Sequence, residues 1–420
     1  MLHHGKTVLP PEVKRRIERF QGALAGLALG DAVGAPVDGW TRSVLRGRLG
    51  RVDGPGSRDE RGFLLGRVAR GENPRKVAKS AGMVSPPGLY THGAQQALLV
   101  AECFLLEGDV GGRRFADASA RFAKPSKRGK FGRHRKPSPL FRASIGRVLH
   151  GEPWDTAGEE AAFGDVLPRA LPLGLVFRDH PAALAARAAE LALVTNRTAS
   201  AVMPAVATAQ LIARLSRKEP PLEARDVLDS LAKDLQQAEK DVVEAVGEKL
   251  LSPPEDLARF RNVVPILSKH VELASASDAD RTTLDLLQKD LARALPFADR
   301  RITAGYAFGL FAAAAYIVLT ESRGPKEAIL RAVNLGRKTS LAGGLAGGLA
   351  GSLWGVHALP GSWLETLWNR RTLLALGESL ARHGDGKRWT RSLFEAEADA
   401  NRRCREARES LRREILAARR

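Results

Sequence analysis

Glycines at four-residue spacing constrain this chain more than any other feature. Gly22, Gly26 and Gly30 recur at i, i+4 and i+8 in one apolar stretch, and Gly347 and Gly351 stand in an Ala-Gly-x-x-Ala-Gly run in another. Residues four apart share a helix face, so these positions offer faces with no side chain and read as sites of close helix packing. A phosphate-cradling role would need a strand-to-helix turn, and these glycines lie inside a helical pattern. Composition points the same way. The chain is 44% apolar but only 5% aromatic, and a mix dominated by Ala, Leu and Gly favours helices over strands. The expected fold class is all-α, a compact multi-helix domain spanning 1–420.

Periodicity places the elements. Pro11 to Leu29 reads as a helix that starts at a proline pair, carries Ile17, Phe20, Leu24 and Leu27 on one face, and stops in Gly30-Asp31-Ala32-Val33-Gly34-Ala35-Pro36. Residues 41–88, rich in Gly, Arg and Pro, read as irregular. Gln95 to Leu106 reads as a helix closed by Gly108, and 184–215 as two helices broken near Asn196. A charged helical insertion is expected at about 217–300, interrupted by Pro253-Pro254. A basic helix at about 388–420 carries a thin stripe of Ala400, Cys404, Ala407, Leu411 and Ile415. Two uncharged stretches, Ile302–Thr320 and Leu341–Leu364, are long enough to span a bilayer. Without aromatic belts they read as buried helices of an all-α core, and no membrane partner is expected. Cys103 and Cys404 are far apart and suggest neither a disulfide framework nor a zinc site. With no signal peptide at Met1–Lys6, a reducing cytoplasm is the simplest location.

The segment Arg19-Phe20-Gln21-Gly22-Ala23-Leu24-Ala25-Gly26-Leu27-Ala28-Leu29-Gly30-Asp31-Ala32-Val33-Gly34-Ala35-Pro36-Val37-Asp38 resembles the opening of the ADP-ribosylglycohydrolase family, which includes dinitrogenase-reductase-activating glycohydrolases and certain crystallins. The resemblance implies an all-α fold, a two-magnesium site and hydrolysis of the bond between ADP-ribose and a protein side chain. Asp38 stands where the family has Glu. Asp31 reads either as a helix-end carboxylate held by backbone N–H groups or as a catalytic group.

At two further places the resemblance holds in scaffold and fails in ligands. The family's Thr-Asp-Asp-Thr is matched by Thr91, followed by His92, Gly93 and Ala94. Its Gly-Gly-Asp-x-Asp-Thr is matched by Gly336, then Arg337, Lys338, Thr339, Ser340 and Leu341. Mg²⁺ requires near-octahedral oxygen coordination, so the expected metal set is absent and no cofactor is expected. A lysine ammonium repels divalent cations and is no ligand while protonated. Lys338 reads as a fixed positive charge for a phosphate or carboxylate, or as a surface lysine. Arg169 and Pro172 match a further family segment, and Thr195-Asn196-Arg197 falls where the family often has Thr-His. The resemblance covers most of 15–365.

The formal charge of +19 attracts polyanions, though an arginine-rich genome gives the same value. The loop 121–136 places Phe122 and Phe131 among Lys124, Lys127, Arg128, Lys130, Arg133, Arg135 and Lys136, an interleaving that suits single-stranded nucleic acid or a solvated loop alike. The tail 402–420 offers a second cationic stripe. His92 reads as a replacement base or a hydrogen-bonding residue. The leading expectation is a pseudoenzyme that has lost its two-magnesium site and binds an ADP-ribose-like or other anionic ligand, or a partner. Thr91, His92, Arg169, Arg337, Lys338 and Ser340 are its candidate contacts. The enzyme alternative is a metal-independent glycosidic-bond hydrolase using Asp38 or Asp31 as acid/base with Lys338 as electrostatic stabiliser. A third reading is a structural, assembly or nucleic-acid-binding protein. The residues leave catalysis, ligand and oligomeric state open.

Overall fold

The computed structural model describes residues 9–124, 131–253, 255–275, 280–294, 305–383 and 389–418. In chain order the helices are α1 (Pro11–Gly34), α2 (Arg42–Leu49), α3 (Glu60–Ala69), α4 (Pro74–Ser80), α5 (His92–Glu107), α6 (Gly112–Ala123) and α7 (Pro139–Leu149). There follow α8 (Leu167–Val176), α9 (Pro181–Leu193), α10 (Ala199–Leu215), α11 (Ala224–Val246), α12 (Glu255–Arg259), α13 (Val263–Ser275) and α14 (Asp280–Ala294). The last are α15 (Ala307–Thr320), α16 (Pro325–Val333), α17 (Thr339–Trp354), α18 (Gly361–Thr366), α19 (Arg370–Ala381) and α20 (Leu393–Ala417). No strand occurs among the described residues, so the fold is all-α.

The spaced glycines form the centre. α1 and α17 run antiparallel with their backbones in contact: Gly22, Gly26 and Gly30 face Gly351, Gly347 and Gly343 in turn. A Cβ on Gly26 would lie 2.1 Å from the Gly347 carbonyl oxygen, and a Cβ on Gly347 would lie 2.1 Å from that of Gly26. Each helical glycine costs about 1 kcal/mol against alanine, so α17 owes its helicity to this packing rather than to propensity. α8, α10 and α15 complete a core of buried Ala, Leu and Val around the pair. A second, smaller cluster joins Leu64 and Val68 of α3, Val77 and Ala78 of α4, Ala81, and Leu411 and Ile415 of α20.

Three expectations change. α1 runs through Gly30 to Gly34 instead of ending at Leu29, because its glycines serve the α17 contact and do not break the helix. Residues 41–88 contain α2, α3 and α4, whose short apolar faces were masked by arginine and glycine. On α20, Ala407 is exposed, and the half-buried Arg408 takes its place against the body, donating from Nε to the Val84 carbonyl at 2.8 Å. The break near Asn196 falls between α9 and α10 as expected. Of the apolar stretches, α15 and α17 are buried, and no helix among the described residues is long and apolar enough to cross a membrane. Residues 302–304, residues 254, 276–279 and 295–300 of the expected insertion, and residues 388, 419 and 420 of the tail lie outside the described residues.

Candidate functional site

The close α1–α17 contact brings the end of α1 against two helix N-termini. Asp31, 1% exposed, sits in the last turn of α1 beneath the start of α5. Its Oδ1 accepts from the Thr91 amide at 2.8 Å, and its Oδ2 accepts from Thr91 Oγ1 and the Ala94 amide, each at 3.0 Å. Asp31 thus caps α5 across the fold, satisfying N–H groups that lack intrahelical partners. Burial pushes its carboxyl up to about 6, against the lowering effect of these bonds.

Asp38 does the same for α17. This exposed residue follows a short 3-10 turn, Ala35–Val37, and its Oδ1 accepts from the Ser340 amide at 3.2 Å and Ser340 Oγ at 3.1 Å. Thr339 Oγ1 donates to the Gly34 carbonyl at 2.8 Å and lies 3.4 Å from Asp38 Oδ1. The Arg337 carbonyl accepts from the Gly39 amide at 2.6 Å, and Arg337 adopts a left-handed φ of +67°. Lys338 precedes α17 and is exposed. Its stem runs beside Gly305, whose added Cβ would lie 3.5 Å from Lys338 Cε and 3.7 Å from the Phe163 ring. Phe163 and Tyr306 stack at 5.9 Å and help line a cavity of about 760 Å³ with Phe260 and Phe308.

Between these helix ends, carbon stands where oxygen ligands would be mounted. A Cβ on Gly93 would lie 3.1 Å from Leu341 Cδ2 and 3.2 Å from Asp31 Oδ2. Leu341 therefore packs directly against the first turn of α5.

One lysine of the basic loop lies within electrostatic reach of both carboxylates. It is Lys136, at φ +51°, whose ammonium donates to Ser85 Oγ at 2.6 Å. Burial lowers its pKa, while Glu60, Asp38 and Asp31 raise it and Arg408 lowers it. Its left-handed backbone has no signal in the sequence, where glycine is the usual residue for that conformation.

Two expected contacts turn inward. Arg169, 1% exposed, donates to Gln96 Oε1, to the Leu191 carbonyl at 2.7 Å and to Thr195 Oγ1 at 2.9 Å, and lies over the Phe115 ring. Burial lowers its pKa to about 10. It holds α8 to α5 and α9 and does not reach the cleft. His92 is 4% exposed. The Gln96 amide nitrogen lies 2.8 Å from its Nε2, and its Nδ1 has no hydrogen-bond partner. Its ring meets Phe141 edge-on at 4.3 Å, and burial, then His134 and Arg169, hold its pKa well below the usual imidazole range. A neutral ring packed in this way is a poor replacement base.

The basic loop is likewise partly consumed. Lys127, Arg128 and Lys130 lie outside the described residues. Phe122 is buried and Phe131 half-buried, so neither offers a free stacking face. Arg133 covers the Phe394 ring. Arg135 pairs with Glu397, a wholly buried carboxylate of α20 that also accepts from Tyr90, Gln95 and Asn369. On the tail, Arg402 and Arg403 pair with Asp399.

The sequence model of the ADP-ribosylglycohydrolase family matches residues 12–390. The chain belongs to that family. A solved structure described as an ADP-ribosylglycohydrolase-related protein complex is 26% identical, with a TM-score of 0.54, covering 88% of this chain and 99% of that one. A search of the curated proteins finds no match.

For an ADP-ribosylglycohydrolase the donor set is unusual. Two hard divalent ions would need about a dozen oxygen donors between them. Both Asp31 oxygens accept protein hydrogen bonds, Asp38 Oδ1 accepts from Ser340, Gly93 and Ala94 carry no ligand atom, and Leu341 fills the space beside them. Among the described residues no group of three or more His, Cys, Asp or Glu side chains is placed to hold a metal ion. The residues present do not fit a two-magnesium centre.

Proposed function

We propose that this ADP-ribosylglycohydrolase-fold protein is a pseudoenzyme whose cleft binds a nucleotide-like or other anionic ligand without divalent metal. The observation that carries the reading is the contact of Leu341 with Gly93. Apolar packing takes the space between the two helix N-termini, and the neighbouring carboxylates act as caps. Lys136, hydrogen-bonded to Ser85, adds positive charge within electrostatic reach of Asp31 and Asp38, and Lys338 stands beside Gly305 next to the Phe163–Tyr306 stack. An anion at Lys338 with a flat ring against the adjoining aromatic wall suits this geometry. Arg169 and His92 act behind the cleft as supports for α5. Thr91 and Ser340 contribute as partners of the capping carboxylates.

A metal-independent hydrolase has less support. The Asp31 carboxyl, at about 6, lies in a useful range for proton transfer, but its oxygens are engaged and shielded from solvent. Calorimetric titration of ADP-ribose, first with Mg²⁺ and then with EDTA, tests the proposal. Equal binding in both buffers, with no ADP-ribose released from a modified protein substrate, is the expected result. Binding or turnover that requires Mg²⁺ would overturn it. Silence in both buffers would reject ADP-ribose as the ligand and favour a protein or nucleic-acid partner.

A further inference from the structure

A second concave site lies two to four turns along α5 from its capped end. Leu99, Cys103 and Leu106 repeat on one face of α5, and Ala118 and Phe122 face them from α6. The start of α20 closes one end with Phe394. The enclosed space is about 510 Å³, within the range of about 300–1,000 Å³ typical of small-molecule pockets. Its wall is not fully covered: Leu106 is 58% exposed and Phe394 38%. Three cations, Arg121, Lys124 and Arg391, stand among the lining residues. Arg121 and Lys124 make no ion pair or hydrogen bond with a described residue. Arg391 donates one bond, to the Arg371 carbonyl. The acid in the lining is Glu102, whose Oε1 accepts from the Leu393 amide at 2.7 Å and Trp389 Nε1 at 3.1 Å.

We propose that this groove binds a small amphipathic anion, a saturated chain carrying a carboxylate or phosphate head. The chain lies along Leu99, Cys103 and Leu106 of α5, and the head meets Arg121 and Lys124. Three cations against one acid, whose Oε1 already accepts two hydrogen bonds, select an anionic head. The polar groups beside the apolar floor, apart from the cations, are only the Cys103 thiol, the Ser392 hydroxyl and Glu102, so a polar body would be left largely unsatisfied. The site uses none of the residues assigned to the cleft, so its fate is independent of the pseudoenzyme reading.

The test is calorimetric titration of the full chain with octanoate, decanoate, decyl phosphate and decanol below their aggregation limits. Burial of two further methylenes predicts about fifteenfold tighter binding of decanoate than octanoate. Decanol, lacking the charge, is expected to bind at least tenfold more weakly than decanoate. The tighter of decanoate and decyl phosphate identifies the head group. The double variant Arg121→Gln/Lys124→Gln changes exposed side chains only, without setting a carboxylate against Glu102, and is expected to weaken decanoate at least tenfold with little change in melting temperature. Leu106→Glu, also exposed, provides a second route to the same loss. Absence of binding by all four probes, equal binding of decanol, or wild-type affinity in both variants would overturn the proposal. Capture of an acidic amphipathic peptide with decanoate silent would overturn it in favour of a protein partner.

Discussion

The two aspartates of the opening segment do one job in two settings, and substitutions should separate them. Asp31→Ala leaves the half-buried Thr91 and buried Ala94 amides without their acceptor, a loss expected to cost about 1–3 kcal/mol. Asp38→Ala removes an exposed cap, expected to cost about 1 kcal/mol, because water replaces the carboxylate. Urea unfolding of both variants checks the order. Nearby, His134 responds to pH. It is buried among Phe122, Phe131 and Phe141, and burial lowers its pKa to about 4. The unfolded ring titrates near 6.5, so between these values the unfolded chain binds more protons. Stability is therefore full above about 6.5 and falls with pH towards 4, by about 2 kcal/mol from pH 7 to 5 for this one group. Asp31 works in the opposite sense, since its raised pKa makes ionisation cost stability as pH rises from about 4 to 6. The comparison should be a difference: the loss from pH 7 to 5 should shrink by about 2 kcal/mol in His134→Gln, and an equal loss in variant and wild type would refute the assignment.

At the scale of elements, the α1–α17 contact makes a sharp contrast between glycines. Gly26→Ala would put a methyl 2.1 Å from a backbone carbonyl that cannot rotate away. The helices must separate, and the expected result is a loss of several kcal/mol or failure to fold. Gly47 lies within α2, and a Cβ added there meets nothing within 4 Å. Gly47→Ala should be neutral or stabilise by about 0.5–1 kcal/mol, through higher helix propensity and a less flexible unfolded chain. Thermal melting of both variants decides this, and equal effects would reject the contact. That α1 packs closely was legible in the sequence because glycine spacing directly encodes a bare helix face, whereas its partner, α17, was not. The departure from the family's Thr-Asp-Asp-Thr and Gly-Gly-Asp-x-Asp-Thr patterns was legible for a similar reason, since a carboxylate is either in the sequence or not. The identity of what replaced them was not. Leu341 against Gly93, and Lys136 within electrostatic reach of the aspartates from a segment more than forty residues away in sequence from any of them, depend on which helix ends meet. α2, α3 and α4 carry no legible periodicity because each buries only one to three apolar residues.

At the scale of the whole molecule, charge that looked available for partners partly holds the chain together. Glu397, on the C-terminal helix, is wholly buried and binds Arg135 from the basic loop, Tyr90 and Gln95 beside the cleft, and Asn369 ahead of α19. No local pattern reveals this, because a glutamate on an arginine-rich helix reads as a solvated i, i+4 partner. Burial raises the Tyr90 pKa well above its usual value, keeping the hydroxyl protonated as a donor to this carboxylate. Glu397→Ala would leave the Arg135 guanidinium buried without its counter-charge, and breaking such a pair from one side costs about 3–5 kcal/mol. The effect should reach beyond α20. Arg135 donates its backbone N–H to Gln95 and its carbonyl accepts from His92, so loosening it frees the first turn of α5 and displaces Lys136, the next residue. Glu397→Ala is therefore expected both to lower the urea midpoint and to weaken any anion bound at the cleft. Glu397→Gln keeps the volume and one acceptor and should show a smaller form of both effects. Hydrogen exchange gives the local check: in Glu397→Ala the amides of His92 to Ala94 should lose protection together with those of α20. Loss confined to α20 would show that the tail is docked but does not position the cleft.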